Sequence, residues 1–219
     1  MAKIGVLISG SGSNLQSIIE AVKSGKIAGE IAVVISNDAT AYGLTRAADN
    51  GIPVKVIKHG DYTERRDFDQ ELVRVLRENR VELVVLAGFM RVVGPVLLDA
   101  FPERVINIHP AILPSFPGTD GQAQAFSYGV KLAGCTVHFV DEKVDHGPII
   151  IQAVVPVLSV DTKDDLKARI LVCEHKIFPH AIALYCAGKL HIEGRRVVIS
   201  GIDETLLAGQ SLISCPGLN

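Results

Sequence analysis

Residues 3–22 read KIGVLISGSGSNLQSIIEAV, and the order of signals within them decides the fold. Residues 3–8 (KIGVLI) form an apolar run of strand length, rich in branched side chains and suited to burial on both faces. Ser9-Gly10-Ser11-Gly12-Ser13-Asn14 interrupts it, and Leu15, Ile18, Ile19 and Val22 then recur at helical spacing as one stripe. The alternation continues outward. Residues 30–35 (EIAVVI), 53–57 (PVKVI), 82–87 (ELVVLA) and 104–108 (RVINI) are further strand candidates buried on both faces, and Phe68, Leu72, Val75 and Leu76 mark another helical stripe. Strand–helix–strand repetition of this kind implies parallel strands joined by right-handed crossovers.

The pattern changes after residue 108. Residues 109–118 (HPAILPSFPG) carry three prolines and a glycine and read as an irregular loop. Two longer strand candidates follow, 132–140 (LAGCTVHFV) and 148–157 (PIIIQAVVPV), joined by DEKVDHG and expected to pair antiparallel. Thr162, with Asp165 three residues on, opens a long helix in the manner of a capping box. Pro179 is expected to kink or end its first part near Phe178. A last strand candidate lies at 195–199 (RRVVI), before a polar tail expected to be partly disordered. The fold class is therefore α/β: a single-domain, open, mostly parallel twisted sheet of Rossmann-like type with an antiparallel C-terminal part. The expected domain spans 1–194, with halves of about 1–100 and about 101–194, and 195–219 form a short strand and tail.

Composition narrows the function classes. A hydrophobic content of 48% over 219 residues supports one large core without a metal or disulfide staple. A net charge of −2, with Lys and Arg scattered, argues against a nucleic-acid footprint. Cys135, Cys173, Cys186 and Cys215 form no CxxC pair and read as reduced thiols. No apolar run approaches a membrane span, and the N-terminus does not read as a signal peptide. A cytoplasmic enzyme acting on small molecules is the expectation, with monomer and homodimer both open.

Three features carry chemistry. Gly12, Ser13 and Asn14 sit where strand turns into helix, so they form either an anion site of backbone N–H groups or a tight capped turn with no ligand. Leu15 occupies the third-glycine position of a dinucleotide fingerprint, and no Gly-Lys-Ser/Thr follows, so a sugar phosphate fits better than NAD or ATP. Asn107 and His109 alternate onto one side at the carboxyl end of a strand, where open α/β sheets bind ligands. Asn offers a neutral donor to a developing oxyanion and His moves protons near neutral pH. Alternatively the two satisfy loop backbone before a Pro-rich turn. Asp145, in DEKVDHG, either orients the histidine or belongs to a solvated acidic turn. Glu174 shares the apolar face of its helix, four residues after Ile170 and three before Ile177. It is either a rim carboxylate paired with Lys or Arg or one held for a ligand. No His or Cys spacing suits a metal, and none is expected.

Taken together, ISGSGSNL at 8–15, LAGFMR at 86–91, NIHPAILPSFPG at 107–118, GCTVHFVDEKVDHGPII at 134–150 and EHKIFP at 174–179 resemble the phosphoribosylglycinamide formyltransferases, folate-dependent enzymes of purine synthesis. The resemblance spans most of the chain, in the family's order and spacing. It implies a formyltransferase domain that transfers formyl from 10-formyltetrahydrofolate to the amine of N1-(5-phosphoribosyl)glycinamide. It also implies that Gly12, Ser13 and Asn14 hold the ribonucleotide phosphate and Glu174 its ribose hydroxyls. Met90, Arg91, Val92, Val93, Asn107, Val140 and Asp141 would line the folate pocket, joined by Arg65 from the motif at Tyr62–Asp69. Asn107, His109 and Asp145 would be catalytic, with Asn107 and a protonated His109 stabilising the oxyanion of a tetrahedral intermediate. The sequence departs from the family in two places: Pro117-Gly118 is followed by Thr119-Asp120, where relatives commonly carry a histidine at the second position, so no histidine role carries over to Asp120, and Ala111 replaces the frequent Ser, a smaller change. Alternatives are a formyltetrahydrofolate deformylase, which delivers the formyl to water, and a non-catalytic folate or sugar-phosphate binder. A methionyl-tRNA formyltransferase would need a basic C-terminal domain that residues 194–219 cannot supply.

Overall fold

The computed structural model describes residues 1–201. The expectations for the tail beyond them, and for Cys215, lie outside the described residues. Strands β1 (Ala2–Ile8), β2 (Gly29–Ser36), β3 (Val54–Val56), β4 (Leu83–Leu86), β5 (Val105–His109), β6 (Leu132–Phe139), β7 (Ile149–Pro156), β8 (Leu190–Glu193) and β9 (Arg196–Ile199) make one sheet, in the order β3-β2-β1-β4-β5-β6-β7-β9-β8. The first five pair parallel, as the strand–helix alternation requires, and β6 returns antiparallel to both β5 and β7.

The chain steps outward from β1 through β2 to β3, then crosses back to β4 and β5 on β1's other side. That reversal makes the carboxyl ends of β1 and β4 a topological switch point, where loops diverge and leave a crevice. Helices cover both faces of the sheet. One core layer packs Ile4, Val6 and Ile8 against helix α1 (Ser13–Lys23), helix α2 (Tyr42–Asp49) and the long helix α6 (Lys163–Cys186). The opposite layer packs Leu7, Val33 and Ile35 against α3 (Arg65–Glu78) and α4 (Pro95–Ala100). Helix α5 (Gly121–Tyr128) follows the Pro-rich loop. No helix among the described residues is long and apolar enough to cross a membrane.

The structure departs from expectation at three places. Of the two outcomes expected at Pro179, a kink or an end, the end does not occur: the helix runs from Lys163 to Cys186 with the proline inside. An interior proline costs about 3 kcal/mol. Fully burying Phe178, Ile182 and Leu184 contributes roughly 1.5–3 kcal/mol each, which outweighs it. The strand at 53–57 shortens to Val54–Val56 and lies at the sheet edge, where Val54 is exposed rather than covered on both faces. Strand β8, whose LHIE alternates half-buried and exposed residues, was not expected and pairs with β9 as a hairpin. The capping box is present as read: Thr162 Oγ1 accepts from the Asp165 N–H, and the Asp165 carboxylate accepts from the Thr162 N–H.

Gly12 caps α1 in the left-handed region, at φ 68°, and a Cβ there would stand 2.5 Å from the Cα of Gly43. The Gly43 N–H donates to the Gly10 carbonyl at 3.0 Å, clamping the glycine loop onto the start of α2. Gly12→Ala therefore meets both backbone strain and a backbone clash. We expect it to destabilise the protein by about 1–3 kcal/mol, seen as a melting temperature lowered by several degrees. An unchanged melt would contradict this geometry.

Candidate active site

The switch point is braced before any ligand arrives. The Ser9 N–H donates to the Gly88 carbonyl at 3.1 Å, and Ser9 Oγ accepts from the Met90 N–H at 2.8 Å. These bonds tie the loop after β1 to the loop after β4. Behind the second loop, the buried carboxylate of Asp69 accepts from the Gly94 N–H at 2.8 Å.

Strand pairing assembles the next part. In the β5–β6 ladder Asn107 stands opposite His138, and His109 opposite Thr136. Residues two apart on a strand share a face, so all four side chains form one row. The turn after β6 brings Asp145 over that row. Asp145 has φ 50°, a left-handed conformation that Asp adopts more readily than most residues, and its side chain is 11% exposed. The solvated acidic turn is thereby excluded. Its Oδ2 accepts from the Gly118 N–H at 2.7 Å and lies 3.3 Å from His109 Nδ1, while Oδ1 lies 3.5 Å from Asn107 Nδ2. Asp145 thus joins the other two members of the sequence-predicted trio, Asn107 and His109.

His109 Nε2 lies 2.8 Å from the Phe116 carbonyl, an acceptor only, so Nε2 carries a proton. Nδ1 faces a carboxylate oxygen, and only an imidazolium would satisfy both contacts. Burial opposes that charge and is the larger effect: it pulls the His109 pKa below the ordinary imidazole value, with Asp145 and the Phe116 carbonyl acting against it. Burial also pushes the Asp145 carboxyl up, but the hydrogen bonds and charges around it, the Gly118 N–H among them, together outweigh it and hold the group below the usual carboxylate range. The resting state is therefore a neutral ring beside an ionised carboxylate, with a vacant proton position between them.

A cavity of about 500 Å³ opens onto this cluster. Met90, Arg91, Val92, Val93, Asn107, Val140 and Asp141 all line it, as does Asp120. Met90, Val92 and Val144 are apolar side chains more than half exposed, and their gathering at one cavity marks a binding surface. An apolar wall ending on amide, carboxylate and imidazole groups suits a flat heterocycle that carries a reactive polar group, so the folate implied by the resemblance fits the residues present. Arg65 is the exception. It opens α3 with its Nε 3.9 Å from Asp69, behind the 89–94 loop, and is not part of the cavity wall.

The glycine loop supplies the second candidate subsite. Asn14, in the first turn of α1, donates through Nδ2 to Glu174 Oε2 at 2.7 Å. Both side chains are buried, so Glu174 is not a rim carboxylate paired with Lys or Arg. Burial raises its pKa, with Asn14 acting against the shift. Two residues 160 positions apart, singled out for different reasons, prove to be partners.

His138 is the site residue that sequence inspection missed. It is 1% exposed and lies 3.2 Å through Nε2 from Asn107 Nδ2. The alternation of 132–140 sets His138 and Thr136 on one face. Their register against β5 is set by a long connection and is invisible locally.

Comparisons with known proteins identify the family. A family described as formyl transferase matches residues 2–182. A trifunctional purine biosynthetic protein, adenosine-3, of Drosophila pseudoobscura pseudoobscura is 48% identical over 86% of this chain. The chain spans only 14% of that protein's length. A phosphoribosylglycinamide formyltransferase of Escherichia coli (strain K12) is 41% identical, over 90% of this chain and 92% of its own. Among solved structures, glycinamide ribonucleotide transformylase 1 from Symbiobacterium toebii superposes with a TM-score of 0.90 at 54% identity, covering 91% of this chain and 94% of that one.

Proposed function

The chain belongs to the formyl transferase family, and from that premise we propose that it transfers the formyl group of 10-formyltetrahydrofolate to the amine of N1-(5-phosphoribosyl)glycinamide, a step of purine synthesis. The observation that carries this reading is the proton-poor Asn107–His109–Asp145 cluster at the end of a mostly apolar cavity. Bound formyl-folate supplies an activated formyl carbon and a nitrogen leaving group. Asn107 Nδ2 donates to the formyl oxygen as negative charge develops on it. The His109–Asp145 pair takes the proton that the attacking amine loses, filling the vacant position at Nδ1, and returns it to the departing nitrogen. Once protonated, His109 adds a positive charge beside the oxyanion.

Gly12, Ser13 and Asn14 hold the ribonucleotide phosphate on the α1 N-terminus, and Glu174 accepts from the ribose hydroxyls. The thiols Cys135, Cys173 and Cys186, unpaired among the described residues, fit a reducing, cytoplasmic setting.

Glu174→Gln separates function from stability. The folded-state pKa of Glu174 lies above its ordinary value, so its contribution to stability is present at low pH and lost as pH rises through that pKa. At neutral pH the substitution removes a buried charge while keeping an acceptor for Asn14. It is expected to raise the melting temperature by a few degrees, a gain that shrinks toward the ordinary glutamate pKa. Ribonucleotide affinity is expected to fall about ten- to a hundredfold, the loss of charged hydrogen bonds. A lower melting temperature at neutral pH would contradict the burial argument.

The function itself is tested by following 10-formyltetrahydrofolate consumption with and without the ribonucleotide. Consumption that depends on the ribonucleotide supports the transferase. Consumption without it identifies a deformylase, and none in either case leaves a binding module.

A further inference from the structure

His138 is fully enclosed, and the mechanism above gives it no task. Its Nδ1 lies 2.7 Å from the Phe139 carbonyl, which can only accept, so Nδ1 carries a proton. In the neutral ring Nε2 is then a bare lone pair. That lone pair lies 3.2 Å from the Asn107 amide and 3.7 Å from Asp145 Oδ1, the second beyond hydrogen-bond range. An amide oxygen facing it would set two acceptors against each other; an amide NH₂ makes a hydrogen bond.

We infer that His138 is a positioning residue which, as the neutral Nδ1-protonated tautomer, holds Asn107 with its NH₂ rather than its oxygen toward Asp145 and the reacting centre. One amide N–H is committed to His138 Nε2. The other points toward Asp145 Oδ1 at 3.5 Å, the long limit of a hydrogen bond, and is free to turn to a better acceptor. The sequence of contacts from the Phe139 carbonyl through His138 to Asn107 thus decides which end of a nearly symmetric side chain meets the charge formed in the reaction. Without the imidazole lone pair, the two ends of the amide lose the contact that distinguishes them. One of the resulting orientations presents an oxygen where a donor is required.

The inference rests on the formyl-transfer reading for its kinetic consequences, but not for its structural content. Long-range proton–nitrogen correlation NMR on protein carrying nitrogen-labelled histidine tests the latter directly. Nδ1–H with unprotonated Nε2 at neutral pH supports the assignment; Nε2–H or an imidazolium overturns it. This result holds whether or not the protein proves to be a transferase, so failure of one reading is not mistaken for failure of the other. Kinetically, His138→Leu removes the acceptor and is expected to lower kcat by about 10²-fold, the penalty of a misaligned reacting group, with the KM for the ribonucleotide close to that of the parent. His138→Gln sets Oε1 near the lost Nε2 and is expected to restore most of the rate, which a purely structural role would not require. A folded Leu variant with the parent kcat, or a Gln variant as slow as Leu, overturns the inference. If Leu fails to fold, the tautomer and the Gln variant still decide it.

Discussion

Asp145→Asn is expected to lower kcat by about 10³-fold, within the range that positioned acid–base groups contribute, while the ribonucleotide dissociation constant changes little. The substitution is close to isosteric, and Asn adopts left-handed backbone as readily as Asp, so φ 50° at this position adds no strain. The new amide oxygen can still accept from the Gly118 N–H, now 2.7 Å from the carboxylate. What disappears is the negative charge 3.3 Å from His109 Nδ1, which stabilises the amine's proton once that nitrogen receives it. The loop Gly12–Asn14 and Glu174 lie on α1 and α6, remote in sequence from this turn, so binding through them is retained. Steady-state kinetics combined with calorimetric titration of the ribonucleotide separates the two quantities. An unchanged kcat would remove Asp145 from the chemistry.

His109→Asn is expected to slow turnover by about 10²–10³-fold, the usual loss on removing one group that stabilises an oxyanion, again without an equal loss in ribonucleotide binding. Equal losses in both would mark His109 as a structural residue. The parent enzyme's pH dependence carries a second check. Because burial lowers the His109 pKa, the ring stays neutral through pH 7 and fills with a proton only as pH drops below the ordinary imidazole value. The ring's own contribution to the rate should therefore be flat through neutrality and fall on the acid side of that value, read as kcat/KM over about pH 5–8 after correction for the protonated fraction of the substrate amine, which grows below about pH 8. The same shift acts on stability: a depressed folded-state pKa contributes stability present above the unfolded value and lost as pH falls through the folded one.

Much of the fold was legible because the parallel half depends on local signals. Runs such as KIGVLI and ELVVLA announce buried strands through composition, and their alternation with helical stripes implies parallel pairing, whereas the strand order that creates the switch point came from the fold. The misses share a cause, which is that tertiary contacts overruled local propensity. Pro179 breaks isolated helices, yet its neighbours are buried against the sheet and the helix continues. LHIE at β8 is too short to be distinguished from loop without its hairpin partner.

The site divides in the same way. Asn107 and His109 were found because strand alternation places them together, and the structure adds that Asp145 is enclosed rather than solvated. Glu174 stood out as a carboxylate on an apolar face, but its partner Asn14 could come only from folding. His138 left no local mark. A histidine within LAGCTVHFV reads as an ordinary strand residue until the antiparallel register sets it against Asn107. Arg65 shows the converse, a motif residue that the fold sets behind the cavity loop rather than in its wall.

Whether the Asn107–His109–Asp145 cluster passes its formyl group to an amine or to water is decided by supplying 10-formyltetrahydrofolate labelled in its formyl carbon together with the ribonucleotide, and locating the label by mass spectrometry. Transfer to the amine puts the label in the N-formyl ribonucleotide and is nearly abolished in Asp145→Asn. Label recovered as free formate, at the same rate with and without the ribonucleotide, would overturn the proposed transfer.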